Sequence, residues 1–361
     1  MEVDEKYMRR CLELAAKGRG NVKPNPMVGA VIVHNSGQVI GEGFHRQYGC
    51  AHAEVNAITA VEEESMLRQS TLYVNLEPCS HYGKTPPCAD LIIRKGIPRV
   101  VVACLDPFPE VSGRGIKKLR DAGVEVITGI MEKEAHNLNR IFMTAHTQQR
   151  PYIILKWAQS ADGFIDKIRK NTSEPPVHLS SPRTQQLAHK LRTEVSAIMV
   201  GTNTAILDNP SLTARNWAGE TPVRVAIDRH LRIPTGYHLL DGSYPTIIFT
   251  EECAEDKENV EYIRINFEED IIPGILNHLY RRNLTSLLVE GGATLHNYFL
   301  NADVWDEIRV ETASHNLCEG VAAPDICYLK EGKVKNVLSS VPPYLSGETN
   351  ALSFFIKQCD F

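Results

Sequence analysis

Between Tyr7 and Lys17, apolar residues fall at Met8, Leu12 and Ala15/Ala16, the spacing of a helix with one buried face. The rhythm then changes. Val28–Val33 and Val39–Gly43 are short apolar runs joined by the polar turn Asn35-Ser36-Gly37, which predicts two strands. Helical spacing returns at His52–Glu63, and Thr71–Leu76 predicts a strand. Cys88–Lys95 reads as a helix closed by Gly96, Arg99–Leu105 as a strand, and Gly115–Ala122 and Val124–Thr128 as a helix and a strand. Strands alternating with short helices predict a layered α/β domain. At Thr144–Arg150 the pattern lapses into TAHTQQR before Pro151, so a first domain is expected over residues 1–147 and a second over 151–361. The second half is also α/β but richer in strands. They are predicted at Tyr152–Ala158, Ala197–Gly201, Val223–Asp228, Thr246–Thr250, Tyr262–Asn266, Ser286–Glu290 and Glu307–Glu311. Helices are predicted near Ser181–Arg192, Ile271–Arg282 and Ala293–Asn301.

Composition narrows the function classes. The 361 residues are 43% hydrophobic and 23% charged, which excludes disordered and fibrous chains. No apolar run approaches the ~20 residues of a membrane helix. The opening MEVDEKYMRRCLELAAKG has the mixed charges of a helix rather than of a signal or transit peptide. A net charge of −5 argues against a broad nucleic-acid surface while leaving room for a local basic pocket. Nine cysteines, an odd number, fit reduced thiols and metal ligands better than a disulfide framework. A cytoplasmic two-domain protein is expected, with no membrane or nucleic-acid partner.

Two segments carry metal chemistry: Cys50-Ala51-His52-Ala53-Glu54, and Glu77 to Cys88. A catalytic zinc takes three protein ligands and keeps a fourth position open for water. His52, Cys79 and Cys88 supply the three, and each cysteine precedes helix-like sequence whose N-terminus would favour thiolate. Glu54, two residues from His52, is placed to move the water's proton to a leaving amine without ligating the metal. The pattern is the H-x-E…P-C…C arrangement of zinc deaminases, with eight residues between the cysteines instead of the two of nucleic-acid and cytidine deaminases. The bland alternative is a structural zinc closed by Cys50 or His81.

With Pro24-Asn25-Pro26-Met27-Val28-Gly29-Ala30-Val31, these motifs resemble the deaminase half of the bifunctional riboflavin-biosynthesis deaminase/reductase family. The insert S-H-Y-G-K-T-P-P is that family's own variant. The resemblance implies a cytidine-deaminase-like three-layer domain that hydrolytically deaminates diaminohydroxyphosphoribosylaminopyrimidine. It also implies that Asn25, His45 and Lys84 contact the substrate.

The second half carries Lys156 to Gly163, Met199 to Arg215, and Val289-Glu290-Gly291-Gly292-Ala293-Thr294-Leu295. The last reads as strand, paired glycines and helix, a turn suited to a phosphate, although no G-x-G-x-x-G is present. Together these segments resemble the reductase half of the same family, which implies a dihydrofolate-reductase-like domain using NADPH to reduce the ribosyl group to ribityl. By that resemblance Lys156 and Glu290 act at the reacting end, and Arg192, Leu212 and Arg215 bind the phosphorylated pyrimidine together with Glu290. Ala158, His178, Thr204, Asp208, Gly292, Ala293, Thr294 and Leu295 take the cofactor positions.

Departures from the family pattern are confined to this half. Phe164 stands where a lysine is usual, His178 replaces a cofactor-facing tryptophan after a longer loop at Asp166–Pro176, and Thr312–Pro324 is only loosely similar. They motivate an alternative, a monofunctional zinc deaminase with a degenerate second domain. A base deaminase acting on nucleic acid is disfavoured by the acidic balance and the cysteine spacing. Exposed sheet edges in such domains lead us to expect a homo-oligomer.

Overall fold

A computed structural model describes residues 2–80, 86–108, 112–327, 334–337 and 350–357. The chain forms two compact units, Met1–Gln149 and Arg150–Phe361.

In the first unit the elements run α1 (Glu2–Ala16), β1 (Gly29–His34), β2 (Val39–Phe44), α2 (Ala53–Thr59), a 3-10 turn at Glu64–Gln69, β3 (Ser70–Leu76), α3 (Cys88–Lys95), β4 (Arg99–Cys104), α4 (Arg114–Asp121), β5 (Glu125–Thr128), α5 (Glu132–Leu138) and α6 (Arg140–Gln148). The strands form one sheet in the order β2-β1-β3-β4-β5, antiparallel from β2 to β3 and parallel from β3 to β5. Because side chains alternate across a strand, β1 sends Ala30 and Ile32 to one face and Val31 and Val33 to the other. The first face packs Ala57, Ile92 and Leu119 from α2, α3 and α4; the second packs Met8, Cys11 and Met143 from α1 and α6. Both faces are covered, so β3 is buried along its whole length.

Helix α2 lies unusually close to β2. A Cβ at Gly43 would come within 2.4 Å of the Ala57 nitrogen and 2.5 Å of the Ala53 carbonyl oxygen, so only glycine admits the helix there. That contact fixes the helix start carrying His52 and Glu54.

The second unit begins with β6 (Tyr152–Gln159), β7 (Phe164–Asp166), α7 (Pro182–Glu194), β8 (Ala197–Gly201), α8 (Thr202–Asp208), β9 (Val223–Ile227), β10 (Thr246–Thr250) and β11 (Val260–Arg264). There follow α9 (Ile271–Arg281), β12 (Ser286–Val289), α10 (Ala293–Asn301), β13 (Glu307–Thr312), β14 (Val321–Ala322), β15 (Val334–Val337) and β16 (Ala351–Lys357). Nine strands form one sheet in the order β11-β10-β9-β8-β12-β6-β13-β16-β15. All are parallel as far as β13, and β16 and β15 then add an antiparallel edge. In a parallel sheet the carboxyl ends of neighbouring strands open on one edge, where ligands of such folds bind. Here β6, β8, β12 and β13 bring Lys156, Gly201, Glu290 and Glu311 to that edge.

Several sequence expectations need correction. The polar stretch 144–150 is helical through Gln148, because Met143, Thr144 and Ala145 on α6 pack inward while its polar residues face solvent. Helix α2 ends at Thr59, before the predicted Glu63. Strand β11 lies two residues earlier than predicted, and α8 occupies a stretch for which no helix is predicted.

Candidate active sites

The first site is gathered at the ends of three elements. His52 is the N-cap of α2, Glu54 lies in its first turn, Cys88 opens α3, and Cys79 follows β3. Cys88 Sγ lies 3.4 Å and Cys79 Sγ 3.6 Å from His52 Nδ1, and the three ligand atoms are all within 4.8 Å of one another. Zn–S bonds of ~2.3 Å and Zn–N bonds of ~2.0–2.1 Å put tetrahedral N···S edges at about 3.6 Å, so this donor set fits zinc. Cys79 is not itself on a helix, which corrects the sequence reading. Its sulfur instead accepts the Cys88 N–H at 3.3 Å, at the start of α3. The Cys88 thiol's hydrogen bond, then His52 and the Cys88 amide, outweigh burial and pull the Cys79 thiol below its ordinary range. Cys50 is exposed and stands outside the ligand group, and His81 lies outside the described residues.

Glu54 is buried, with 3% of its surface exposed. Burial, then the Cys79 thiolate, pushes its carboxyl up to about 7, against the pull of His52. His52, Cys79 and Glu54 line a 460 Å³ cavity shared with Asn25, His45 and Asp106. His45 Nδ1 faces the Ala51 carbonyl at 3.1 Å and must carry the ring hydrogen of a neutral imidazole. Its Nε2 is then the acceptor for Asn25 Nδ2 at 3.3 Å, which leaves the Asn25 carbonyl oxygen and second N–H for a ligand. Burial, outweighing the Ala51 carbonyl, holds His45 below the ordinary histidine range. Lys84 lies outside the described residues.

Sequence reasoning missed the groups that hold this site in shape. The Asn139 side chain accepts the Met27 N–H at 2.8 Å and donates to its carbonyl at 2.9 Å, fixing the segment that carries Asn25. Glu77, buried, accepts backbone N–H groups of Gly115 (2.8 Å), Gly113 (2.9 Å), Asp106 (3.3 Å) and Ile116 (3.3 Å). It ties the strand end before Cys79 to the loop carrying Asp106. Phe108, Phe142 and His146 form an aromatic wall, with His146 4.4 Å from Phe142 and 5.9 Å from Phe108 between ring centres. Only the Glu-Pro-Cys motif hinted at any of them.

The second site is dispersed. Arg192 on α7 donates to Glu290 Oε2 at 2.6 Å and to the Thr213 carbonyl at 2.9 Å. Burial works to raise the Glu290 carboxyl, but Arg192 and Lys156 together hold it below its usual range. Glu290 Oε1 is buried and has no hydrogen-bond partner among the described residues. Arg215 is exposed and donates to Ser211 at 2.8 Å. Leu212 is buried at a φ of 53°, a strained conformation for a branched side chain.

The paired glycines meet α8. A Cβ at Gly291 would lie 2.8 Å from Val200 Cγ1, and one at Gly292, where φ is 73°, 3.1 Å from Thr204 Oγ1. Helix α10 starts there without a side-chain cap, so the amides of Ala293, Thr294 and Leu295 open beside Thr204, a cradle that fits the phosphates of NADPH. His296, missed by the sequence reading, braces this turn from within, its nitrogens 3.0 Å from the Gly292 carbonyl and 3.1 Å from that of Val289.

Ala158 is on β6 opposite Glu311 of β13. Glu311 accepts from Ser180 Oγ and Thr184 Oγ1, both at 2.6 Å, and so anchors the segment that follows His178. His178 itself is exposed. The Asp208 carboxylate is taken by Arg169, from the long loop after β7.

Residues 1–104 match the family of the cytidine and deoxycytidylate deaminase zinc-binding region, and residues 151–322 match the RibD C-terminal domain. The chain is 41% identical over 330 residues to riboflavin biosynthesis protein RibD of Aquifex aeolicus, covering 90% of this chain and 91% of that one. It is 35% identical over 345 residues to RibD of Escherichia coli, with coverage of 90% and 91%. A crystal structure of a diaminohydroxyphosphoribosylaminopyrimidine deaminase/5-amino-6-(5-phosphoribosylamino)uracil reductase from Thermotoga maritima superposes with a TM-score of 0.86 at 36% identity, covering 99% of both chains. The similarity runs through both units, so a monofunctional deaminase with a degenerate second domain is not favoured. The fold pairs a cytidine-deaminase-like unit with a RibD C-terminal reductase unit, and the cofactors are zinc and NADPH. This chain belongs to the RibD family of riboflavin-biosynthesis enzymes, which join a zinc deaminase to an NADPH-dependent reductase.

Proposed function

We propose that residues 1–147 hydrolyse the ring amine of diaminohydroxyphosphoribosylaminopyrimidine and that residues 151–361 then reduce the ribosyl group of the product to ribityl. The observation that carries this reading is the convergence of His52, Cys79 and Cys88, with His52, Cys79 and the buried Glu54 lining a cavity that Asn25 and His45 also line.

Zinc, when bound by His52, Cys79 and Cys88, supplies a water acidic enough to act as nucleophile near neutral pH. Glu54 takes up a proton at its carboxylate and delivers it to the departing amine, work that suits a carboxyl raised to about 7. Asn25 orients the pyrimidine through its free amide groups, with His45 fixing the amide; Lys84 is assigned to the substrate as well. In the second unit NADPH supplies the hydride. Addition at the ribose carbon needs a proton moved at the neighbouring heteroatom, and Glu290 and Lys156 are the titratable side chains proposed there. Arg192 and Arg215, with Leu212 beside them, hold the phosphorylated pyrimidine. Ala158, His178, Thr204, Asp208 and the Gly292–Leu295 turn face the cofactor, Asp208 only after exchanging its partner Arg169.

No helix among the described residues is long and apolar enough to cross a membrane, and the eight described cysteines are free. These features support a cytoplasmic enzyme; a homo-oligomer is part of the same reading. Mass spectrometry of the products formed from the starting pyrimidine with zinc and NADPH tests the whole. Loss of ammonia with gain of water oxygen and two further hydrogens is expected. A product stopped at the deaminated intermediate would overturn the reductase assignment and keep the first.

A further inference from the structure

Three basic side chains of the second unit converge on one residue, Thr213. Arg192 Nη1 donates to its carbonyl at 2.9 Å, and Arg215 Nη1 reaches its hydroxyl at 3.5 Å. The ring of His189 stands beside the same carbonyl. His189 and Arg192 are three residues apart on α7 and so share a face of the helix. Only 6% of His189 is exposed, yet its Nδ1 is buried without a hydrogen-bond partner among the described residues, as is Nε of Arg192. The charged groups that face the ring are Arg192 from α7, Arg215 from the loop after α8, and Glu290 after β12. Glu290 is already engaged by Arg192 at 2.6 Å. With Arg215 at its exposed rim, a cluster with more cations than anions and unused buried nitrogens lacks an anion.

We propose that His189 is a third anion-binding side chain of the reductase site and holds the phosphate monoester of the substrate together with Arg192 and Arg215. The inference rests on the reductase reading and deepens it. A neutral imidazole shares one hydrogen between its two nitrogens, and only the charged ring offers one at both. A phosphate dianion offers acceptors and no donor, so it meets His189 as imidazolium. Without a ligand, burial and then the two arginines hold the ring below its ordinary range and therefore neutral near pH 7. The incoming dianion reverses that balance, and binding takes up a proton. The sign follows: the arginines stay charged and Glu290 stays ionised, so phosphate binding weakens as pH rises and the ring becomes harder to protonate.

The test uses the full-length enzyme loaded with zinc and NADPH, with reductase KM and kcat for the deaminated nucleotide measured from pH 6.5 to 9. In the wild type KM should climb across this range. In His189→Gln it should be raised about tenfold at pH 7 and lose most of its climb, with kcat within about twofold, the effect of one charge-assisted hydrogen bond used for binding. NADPH affinity should stay at the wild-type value; its loss would assign His189 a structural role and overturn the proposal. An unchanged KM profile in the variant would overturn it too. A second measurement needs only the wild type: the dephosphorylated substrate should show no climb in KM, and a parallel climb for both substrates would sink the idea. Absence of any reductase turnover in the wild type would instead defeat the reductase reading itself.

Discussion

In the first unit the reactive groups lie on a few short stretches, and most polar atoms around them are already paired: His45 with Asn25 and Ala51, Cys79 with the Cys88 amide, Glu77 with four backbone N–H groups. In the second unit the candidate groups come from the ends of several parallel strands and two helices, and Glu290 Oε1, His189 Nδ1 and Arg192 Nε are buried without partners among the described residues. A metal site is finished when its ligands are in place. A site for two large ligands is finished by the ligands themselves, so its protein groups stay incompletely satisfied until those bind. The contrast predicts that the first unit depends on its metal in an all-or-none way, while the second degrades by degrees.

Removing zinc is the strongest challenge to that contrast. Chelation should abolish ammonia release while NADPH oxidation, assayed with the deaminated nucleotide, stays within about twofold. Glu54→Gln should lower deamination by on the order of 10²–10⁴ with zinc content unchanged by elemental analysis. Glu290→Gln should reduce turnover of the deaminated nucleotide by on the order of 10², leaving ammonia release untouched. Equal losses in both reactions would show that the units are coupled and the contrast is wrong. Glu77→Gln should destabilise the first unit by about 2–3 kcal/mol, read by thermal unfolding, because an amide cannot accept from donors on both sides.

The smallest effect concerns acid. Burial works to raise the Asp4 carboxyl, but Arg99 and Tyr73 outweigh it and hold it below its usual value of 3.8. A depressed carboxyl adds stability that is present above its unfolded value and is lost as pH falls through the folded one. Asp4→Asn should therefore flatten the acid limb of the first unit's stability below about pH 4, and an unaltered limb would remove Asp4 from the account.

How much was legible in the sequence follows the same divide. The bounds of α3, β8, β10 and α10 follow from periodicity and, for α3, from Gly96, whose φ of 70° ends the helix. The spacing within H-x-E and P-C marked His52, Glu54, Cys79 and, beyond eight intervening residues, Cys88 as candidates, and the fold had only to bring the two segments together. Asn139 and His189 carried no such mark. Asn139 reaches Met27 across 112 positions, and His189 meets Thr213 only after β8 and α8 have turned the chain back. Helix α6 was hidden by its polar face, since a helix covering one side of a sheet needs only Met143, Thr144 and Ala145 turned inward.

Arg150 and Asp306 set where this polypeptide can be divided. Asp306 is buried; its carboxylate receives both terminal nitrogens of Arg150, at 2.6 and 2.9 Å, and the N–H of Ile153 at 2.7 Å. A gene split to encode the halves as separate proteins would keep that arrangement if the cut fell after Gln149. One codon later, the second product would begin at Pro151 and bury a carboxylate without its guanidinium, a defect costing about 3–5 kcal/mol. The cut site that punctuation by proline suggests is thus one residue too late for the protein downstream of it.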